Sequence, residues 1–206
     1  VAKSSKLNGD ESINERASMI GRLKYGYDSK YFAEFSFRID GSTNFSPDNR
    51  WGFFPSISTS WVLSNEKKKK NWNQNVVSNA KVRLSTGWLG NDGLVSAYSY
   101  LKNYTESPNY GYSFGSSSNT TGNYSPGFTL LAYPNTDLTW GKTHDYNIGA
   151  DFGLFNGKIG ISFDYFIRYE TNKITSAPDY LFPPSTGVDG AYPSMNFSKL
   201  KAWGWD

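Results

Sequence analysis

Side chains in this sequence alternate between apolar and polar with a period of two, and no other feature constrains the fold as tightly. From Tyr31 to Asp40 the odd positions are apolar and the even positions, apart from Phe32, are polar. The stretch from Ile159 to Glu170 repeats the pattern. Because successive side chains of a β-strand point to opposite faces, this period predicts strands with one apolar and one polar face.

Six segments follow this pattern, and a seventh begins near residue 196. They span residues 17–27, 31–41, 53–63, 80–88, 139–153 and 159–170. Several reach the ~9–11 residues that a tilted strand needs to cross a bilayer, and no run approaches the ~18–20 consecutive apolar residues of a transmembrane helix. The fold is therefore predicted to be all-β and antiparallel.

The links between these strands alternate between short and long. Residues 28–30 and residues 155–158, which contain an Asn-Gly pair, are tight turns, and residues 64–79 form a link of middle length. Residues 42–52, 89–138 and 171–195 form long loops. Since strand direction alternates, all the long loops fall at one end, as in outer-membrane barrels with short periplasmic turns and long extracellular loops.

Aromatic residues make up 17% of the chain and concentrate near the strand ends. The group near the short turns contains Tyr25, Tyr27, Tyr31, Trp61, Phe152 and Phe155. The group near the long loops contains Trp51, Phe53, Trp88, Trp140, Tyr169, Trp203 and Trp205. Two such girdles are expected where strands cross two water–lipid interfaces. The alternative is a soluble, carbohydrate-binding β-sandwich whose core these rings would fill.

The composition of the polar face favours the barrel over the sandwich. It carries Ser, Gly, Asn, Asp and Arg with few lysines, whereas mobile Lys and Glu side chains are expected on the wet face of a sandwich. Small polar residues and fixed charges suit a crowded polar lumen. The residues predicted to face the lumen are Glu34, Arg38, Asp40, Asp145, Asn147, Asp151, Asp164 and Arg168.

Several motifs in this sequence resemble, in order, those of one family, the SusC/RagA-type TonB-dependent outer-membrane transporters. Residues 38–45 follow R-x-D-G-S-x-x-F, residues 49–56 read N-R-W-G-F-F-P-S, and residues 81–91 follow K-x-R-x-S-x-G-x-x-G-N. Residues 135–142, 146–157 and 203–206 are similar to three further family motifs. Gly141, where the family commonly has Glu, and His144, where a small polar residue is usual, are departures.

The resemblance implies a segment of an energy-coupled importer in the bacterial outer membrane. Such a barrel has about 22 strands and is closed by a plug. TonB would act on the plug, a SusD-type surface lipoprotein would cap the barrel, and the substrates would be oligosaccharides or peptides. All of residues 1–206 would belong to the barrel. The plug, the TonB-contacting box and the remaining strands are expected outside this chain. A passive, porin-like barrel without a plug is a further alternative.

No enzyme constellation emerges from the residues, and no cofactor is predicted. The chain has no cysteine and a single histidine, His144, which alternation assigns to the apolar face. A catalytic triad or a histidine-based metal site would need that residue. The segment is therefore predicted to contribute wall, lumen lining and extracellular loops, and no bond chemistry.

One stretch of the longest loop differs from the rest of the chain. Residues 107–136 contain no Asp, Glu, Lys or Arg, yet they are rich in Tyr and Phe. An aromatic ring offers an apolar face and tyrosine adds a polar tip, which suits contact with a glycan or a peptide. The candidate substrate-binding residues are Tyr104, Tyr110, Tyr112, Phe114 and Tyr124. A compact loop that buries its own rings, or contact with a partner, is the alternative.

Overall fold

The computed structural model of the chain describes residues 15–66, 76–93, 95, 98–114, 123–183, 185 and 192–206. Within these residues the chain forms β1 (Arg16–Tyr27), β2 (Tyr31–Ser42), β3 (Trp51–Val62), β4 (Val77–Asn91), β5 (Asn103–Phe114), β6 (Asn123–Ala132), β7 (Gly141–Leu154), β8 (Ile159–Ser176) and β9 (Ser194–Trp205). Helical structure there is limited to single 3₁₀ turns. No helix of the described part is long and apolar enough to cross a membrane.

Seven of these strands form one antiparallel sheet in the order β1-β2-β3-β4-β7-β8-β9. The predicted antiparallel all-β architecture is confirmed, and all six predicted strands are present within a few residues of their expected bounds. The segment predicted to begin near residue 196 is a full strand, β9. Strands β5 and β6 pair only with each other, as a hairpin inside what the sequence predicted to be a loop.

The register sorts the side chains of the sheet into two faces. Along the polar face, Ser60 lies opposite Arg83, Arg83 opposite Gly149, and Gly149 opposite Asp164. Along the apolar face, one row runs through Ile57, Thr86, Tyr146, Ile167 and Trp203.

The apolar face is uncovered, which argues against the β-sandwich. Leu23 is 70% exposed, Ile57 50% and Phe163 49%. A sandwich would bury these side chains against a second sheet. In the described part of the chain the only other sheet is the β5–β6 hairpin. Exposed apolar area on this scale needs another apolar medium to cover it.

The aromatic residues of both predicted girdles lie on the apolar face of the sheet, except Phe155, which lies in the turn between β7 and β8, and Trp140. Trp51 and Trp61 lie ten residues apart on β3, and Tyr31 stacks on Trp61 with ring centroids 6.0 Å apart. At ~3.4 Å per residue and a tilt of ~45°, such a separation spans about 24 Å, close to the ~25 Å apolar band of outer-membrane barrels.

Trp140 is buried, and its assignment to the girdle was wrong. Its side chain is only 6% exposed, and its Nε1 donates a hydrogen bond to the Arg50 carbonyl at 3.0 Å. Strand β7 begins one residue later, at Gly141, so the alternation that assigned Trp140 to the apolar face does not extend to it.

A small core, which we call the loop-end core, fills the long-loop end where β3 and β4 diverge. Their pairing stops at Ser56 and Gly87, although β4 continues to Asn91. The residues of the loop-end core are Phe45, Phe54, Val95, Leu138, Trp140 and Ile174. This core packs the loops after β2, β4 and β6 against the part of β8 nearest the long-loop end.

The opposite end of the sheet carries tight turns. In the β7–β8 turn Phe155 and Asn156 have φ of 53° and 57°, and the Gly157 amide donates to the Leu154 carbonyl at 3.1 Å. The turn is thus centred one residue before the Asn-Gly pair that predicted it. In the β1–β2 turn, Lys30 is almost buried, and its ammonium lies 2.8 Å from the Asp28 carboxylate and 3.8 Å from that of Glu66.

Candidate functional site

All eight residues predicted to face a lumen lie on the polar face of the sheet. They are Glu34, Arg38, Asp40, Asp145, Asn147, Asp151, Asp164 and Arg168. This face has a hollow of ≈ 610 Å³ lined by Lys24, Glu34, Ser60 and Arg83 among others. That this face lines a lumen stays a prediction at this point, because the register alone does not say what covers it.

Arg83 on β4 is the centre of the polar face. Its Nε and Nη2 donate to the two Asp151 carboxylate oxygens at 2.8 and 3.0 Å, and Nη2 also donates to Asp164 at 2.9 Å. Ser162 donates a further, short hydrogen bond to Asp151. One guanidinium therefore joins β4, β7 and β8. Its contact with Asp151 is bidentate, a geometry that arginine can make and lysine cannot.

Gly149 makes this arrangement possible. It lies on β7 between Arg83 of β4 and Asp164 of β8. A Cβ at this position would overlap the Asp164 carboxylate and lie 2.9 Å from an Arg83 guanidinium nitrogen. The missing side chain leaves the space through which the guanidinium crosses the middle strand.

Arg83 is absent from the residues predicted for the site, although alternation assigned it to the polar face. Its two carboxylate partners were both predicted, but as separate lumen charges. The signal that could have identified the cluster is that Arg83, Gly149 and Asp164 occupy paired positions on β4, β7 and β8. This signal can be read only when it is known that β4 pairs with β7.

Further ion pairs extend the network along the polar face. Arg168 donates to Asp145 at 2.7 Å, Arg22 to Glu34 at 2.6 Å, and the Arg38 Nη2 lies 3.2 Å from Asp40. Hydroxyls fill the space between them, as in the Ser36–Ser56 pair at 2.6 Å. These pairs are partly exposed, so each contributes little to stability. Together they give the face fixed charges of both signs.

At the long-loop end, a buried carboxylate anchors the base of the longest loop. Asp92, which follows β4, is 6% exposed. It accepts hydrogen bonds from Arg16 at 2.9 Å, from the Ser42 hydroxyl at 2.7 Å and from the Asn44 amide at 3.3 Å. Sequence reasoning missed this anchor, because nothing in the pattern marks one aspartate in a polar loop as buried.

The five candidate substrate-binding residues lie on the β5–β6 hairpin. Tyr104 is 63% exposed and lies opposite Leu130. Tyr110, Tyr112 and Phe114 belong to β5 and Tyr124 to β6. The side chains of these four residues lie outside the described part of the structure. Their proposed contact with substrate therefore stays a prediction.

His144 lies on the apolar face, as alternation predicted. Its ring stacks on Trp88 with centroids 3.9 Å apart, and its Nε2 lies 2.9 Å from the Thr86 hydroxyl. No group of three or more His, Cys, Asp or Glu residues that could hold a metal ion occurs among the residues that the structure describes.

Known proteins similar to this chain are TonB-dependent receptors. The chain is 33% identical over 194 residues to TonB-dependent receptor SusC of Bacteroides thetaiotaomicron, covering 94% of this chain and 18% of that protein. It is 31% identical over 199 residues to TonB-dependent receptor P26 of Formosa agariphila, covering 96% of this chain and 18% of the receptor. No protein-family model matches.

Among solved structures, the RagAB peptide transporter shares the fold. The TM-score is 0.74 at 22% identity, with 93% of this chain and 19% of the transporter chain covered. The same protein described as a peptide importer in a 'closed-closed' state matches with the same TM-score at 23% identity. The resemblance drawn from the sequence motifs is thus confirmed. The chain spans about a fifth of the length of the relatives it matches.

Proposed function

We propose that this segment of a SusC/RagA-type TonB-dependent outer-membrane transporter forms part of the barrel wall, the lumen lining and the extracellular loops of an importer of oligosaccharides or peptides. The segment itself performs no bond chemistry. Its role is to separate lipid from a polar pathway and to present loops at the cell surface.

The segregation of charge between the two faces carries this proposal. Ion pairs such as Arg83–Asp151 and Arg168–Asp145 lie on the polar face. The opposite face carries exposed apolar residues between two aromatic girdles. A spanning barrel needs this combination, because lipid cannot solvate charge whereas a lumen filled with water or with a polar plug can.

The position of the loops at one end of the sheet favours the proposed contacts with substrate and with a lid. The β5–β6 hairpin and the loops after β2 and β8 all leave the sheet at this end. We infer that this end faces the cell exterior and meets a SusD-type lipoprotein, and that Tyr104, Tyr110, Tyr112, Phe114 and Tyr124 contact a glycan or a peptide. In this proposal the plug and the region that TonB contacts belong to parts of a longer protein outside residues 1–206.

Energy-dependent uptake by the full-length transporter tests the function. Cells that lack the gene are complemented with it, and uptake of fluorescent oligosaccharides and of a fluorescent peptide mixture is measured with and without a protonophore. The proposal predicts uptake of at least one substrate class that depends on the gene and stops with the protonophore. Uptake that depends on the gene but continues with the protonophore would instead indicate a passive porin.

A further inference from the structure

The charged residues of the apolar face are all basic and all lie near the long-loop end. In the seven-stranded sheet, every position of which the structure describes, no Asp or Glu lies on this face. Its lysines are Lys142 on β7 and Lys199 and Lys201 on β9. The rest of the face, down to the short turns, carries no formal charge.

Strand β9 shows the order of these residues most clearly. Its apolar face reads Lys199, Lys201, Trp203 and Trp205 from the long-loop end toward the middle of the sheet. Trp203 and Trp205 are 66% and 70% exposed. Aromatic rings followed by lysines are expected where a membrane-spanning strand passes from hydrocarbon into the head-group layer.

The two lysines of β9 have no carboxylate partner among the described residues. The Lys201 ammonium lies over the Tyr169 ring, 5.4 Å from its centroid. Tyr169 in turn lies opposite His144, which stacks on Trp88. The acid closest in register is Glu170, but it belongs to the polar face, where it lies 3.5 Å from Lys173. Both cations face outward, and neither is paired with a carboxylate of the described residues.

An apolar depression lies on the same face, toward the middle of the sheet, and Trp203 and Trp205 of β9 lie opposite its nearest lining residues, Ile167 and Tyr165. Its volume is ≈ 400 Å³. Its lining includes two threonines, Thr59 and Thr86. Its apolar lining consists of Ile57, Leu84, Tyr146, Ile148, Tyr165 and Ile167. Ile167 lies two residues below Tyr169 on β8, so the depression begins one row below the lysine and tyrosine pair.

We propose that this surface binds a phosphate-bearing lipid of the outer leaflet, with its phosphate on Lys199 and Lys201 and an acyl chain in the depression. The inference rests on the proposed placement of the apolar face against lipid. Cations on the same face as an apolar groove match an amphiphile with an anionic head, and each surface lysine contributes roughly fivefold to the affinity for such a head group. Binding would also hold the barrel at a defined height in the membrane.

Lipid binding to the purified full-length transporter tests the proposal. The probe is bisphosphorylated lipid A, compared with lipid A from which the phosphates have been removed, and native mass spectrometry counts the lipids bound. The test variant is Lys199→Gln with Lys201→Gln. The control variant, Lys24→Gln with Lys81→Gln, removes two lysines from the polar face of the same sheet.

The expected result is on the order of 25-fold weaker binding of the phosphorylated lipid by the test variant, and an unchanged affinity in the control. Lys199→Arg with Lys201→Arg should bind like the wild type, which separates charge from a folding defect. If the wild type binds both lipids equally, or if the test and control variants lose the same affinity, the proposal is wrong. Those results do not bear on the uptake experiment, which measures gene-dependent and energy-dependent uptake and not lipid binding.

Discussion

At the scale of single residues, the polar face depends on a position that has no side chain. Arg83 reaches Asp164 only because Gly149 stands between them. The alternation of the sequence correctly assigned eight charged or amide residues to one face, since that assignment needs only the period of a strand. It could not identify the Arg83 cluster, which depends on strands far apart in sequence becoming neighbours.

Gly149→Ala should destabilise the full-length barrel by about 1–3 kcal/mol, because the added methyl group displaces the Asp164 carboxylate from Arg83. Gly160→Ala is the matched control, since no atom lies within 4 Å of a Cβ at that position of the neighbouring strand. Unfolding in urea, followed by loss of the compact electrophoretic form, measures both. Equal stability of the two variants would mean that the space at Gly149 has no structural importance.

Lys30 in the β1–β2 turn gives the fold a defined dependence on pH. The Asp28 carboxylate, which accepts its hydrogen bond, raises the pKa of the Lys30 ammonium above the usual value for lysine. A pKa higher in the folded than in the unfolded state stabilises the fold at neutral pH, and this contribution disappears as the pH rises through the folded value.

Lys30→Gln should therefore lower the free energy of unfolding at neutral pH but not in strongly alkaline buffer. Lys158→Gln, at an exposed position in the β7–β8 turn at the same end, is the control and should have little effect at either pH. A difference between wild type and Lys30→Gln that stays constant with pH would contradict the ion-pair explanation.

At the scale of elements, the β5–β6 hairpin is the largest feature that the sequence did not predict. The apolar and polar residues of the hairpin alternate only in short runs, such as Tyr110, Tyr112 and Phe114 with Gly111 and Ser113, and Pro108 and Pro126 interrupt them. The pairing of β5 with β6 is also irregular at two places. Neither strand joins the main sheet. Sequence periodicity therefore detected the strands of the main sheet and missed the shorter alternating runs of the hairpin.

Removal of residues 107–125 should leave the barrel assembled and impair uptake. Strand β4 pairs directly with β7, so the deletion breaks no ladder of the main sheet. The deletion joins Glu106 to Pro126, and Glu106 already lies opposite Phe128. Pro126-Gly127 then suits a tight turn that closes the shortened hairpin. Yield of heat-resistant barrel and substrate uptake are measured together, and unchanged uptake would show that the hairpin has no transport role.

The loop-end core and the residues around it fix both ends of the long segment that connects β4 to β7. Asp92 binds Arg16, Ser42 and Asn44, and Trp140 packs against Phe45 with ring centroids 5.1 Å apart. The loop therefore leaves and re-enters the sheet at anchored positions. The error over Trp140 has the same origin, because a residue outside the strand follows the packing of this core and not the strand period.

At the scale of the whole molecule, the seven-stranded sheet has two faces that need different surroundings, an apolar medium for one and a polar medium for the other. The sheet has open edges at β1 and β9 and exposes apolar residues that no described part of the chain covers. The fold class could be predicted from the sequence, because period, girdles and loop lengths all agreed. What covers each face could not, because the covering material lies outside these residues.

The most direct test of the central claim is the environment of two adjacent residues on β8. Phe163 lies on the apolar face opposite Ala150, and Ser162 lies on the polar face opposite Asp151. Phe163→Cys and Ser162→Cys are made separately in the full-length transporter, labelled with a nitroxide and reconstituted in liposomes. The account predicts that the label at 163 is relaxed by oxygen dissolved in the lipid and the label at 162 by a water-soluble nickel complex. If both labels respond only to the nickel complex, the apolar face does not contact lipid and the membrane-barrel account is wrong.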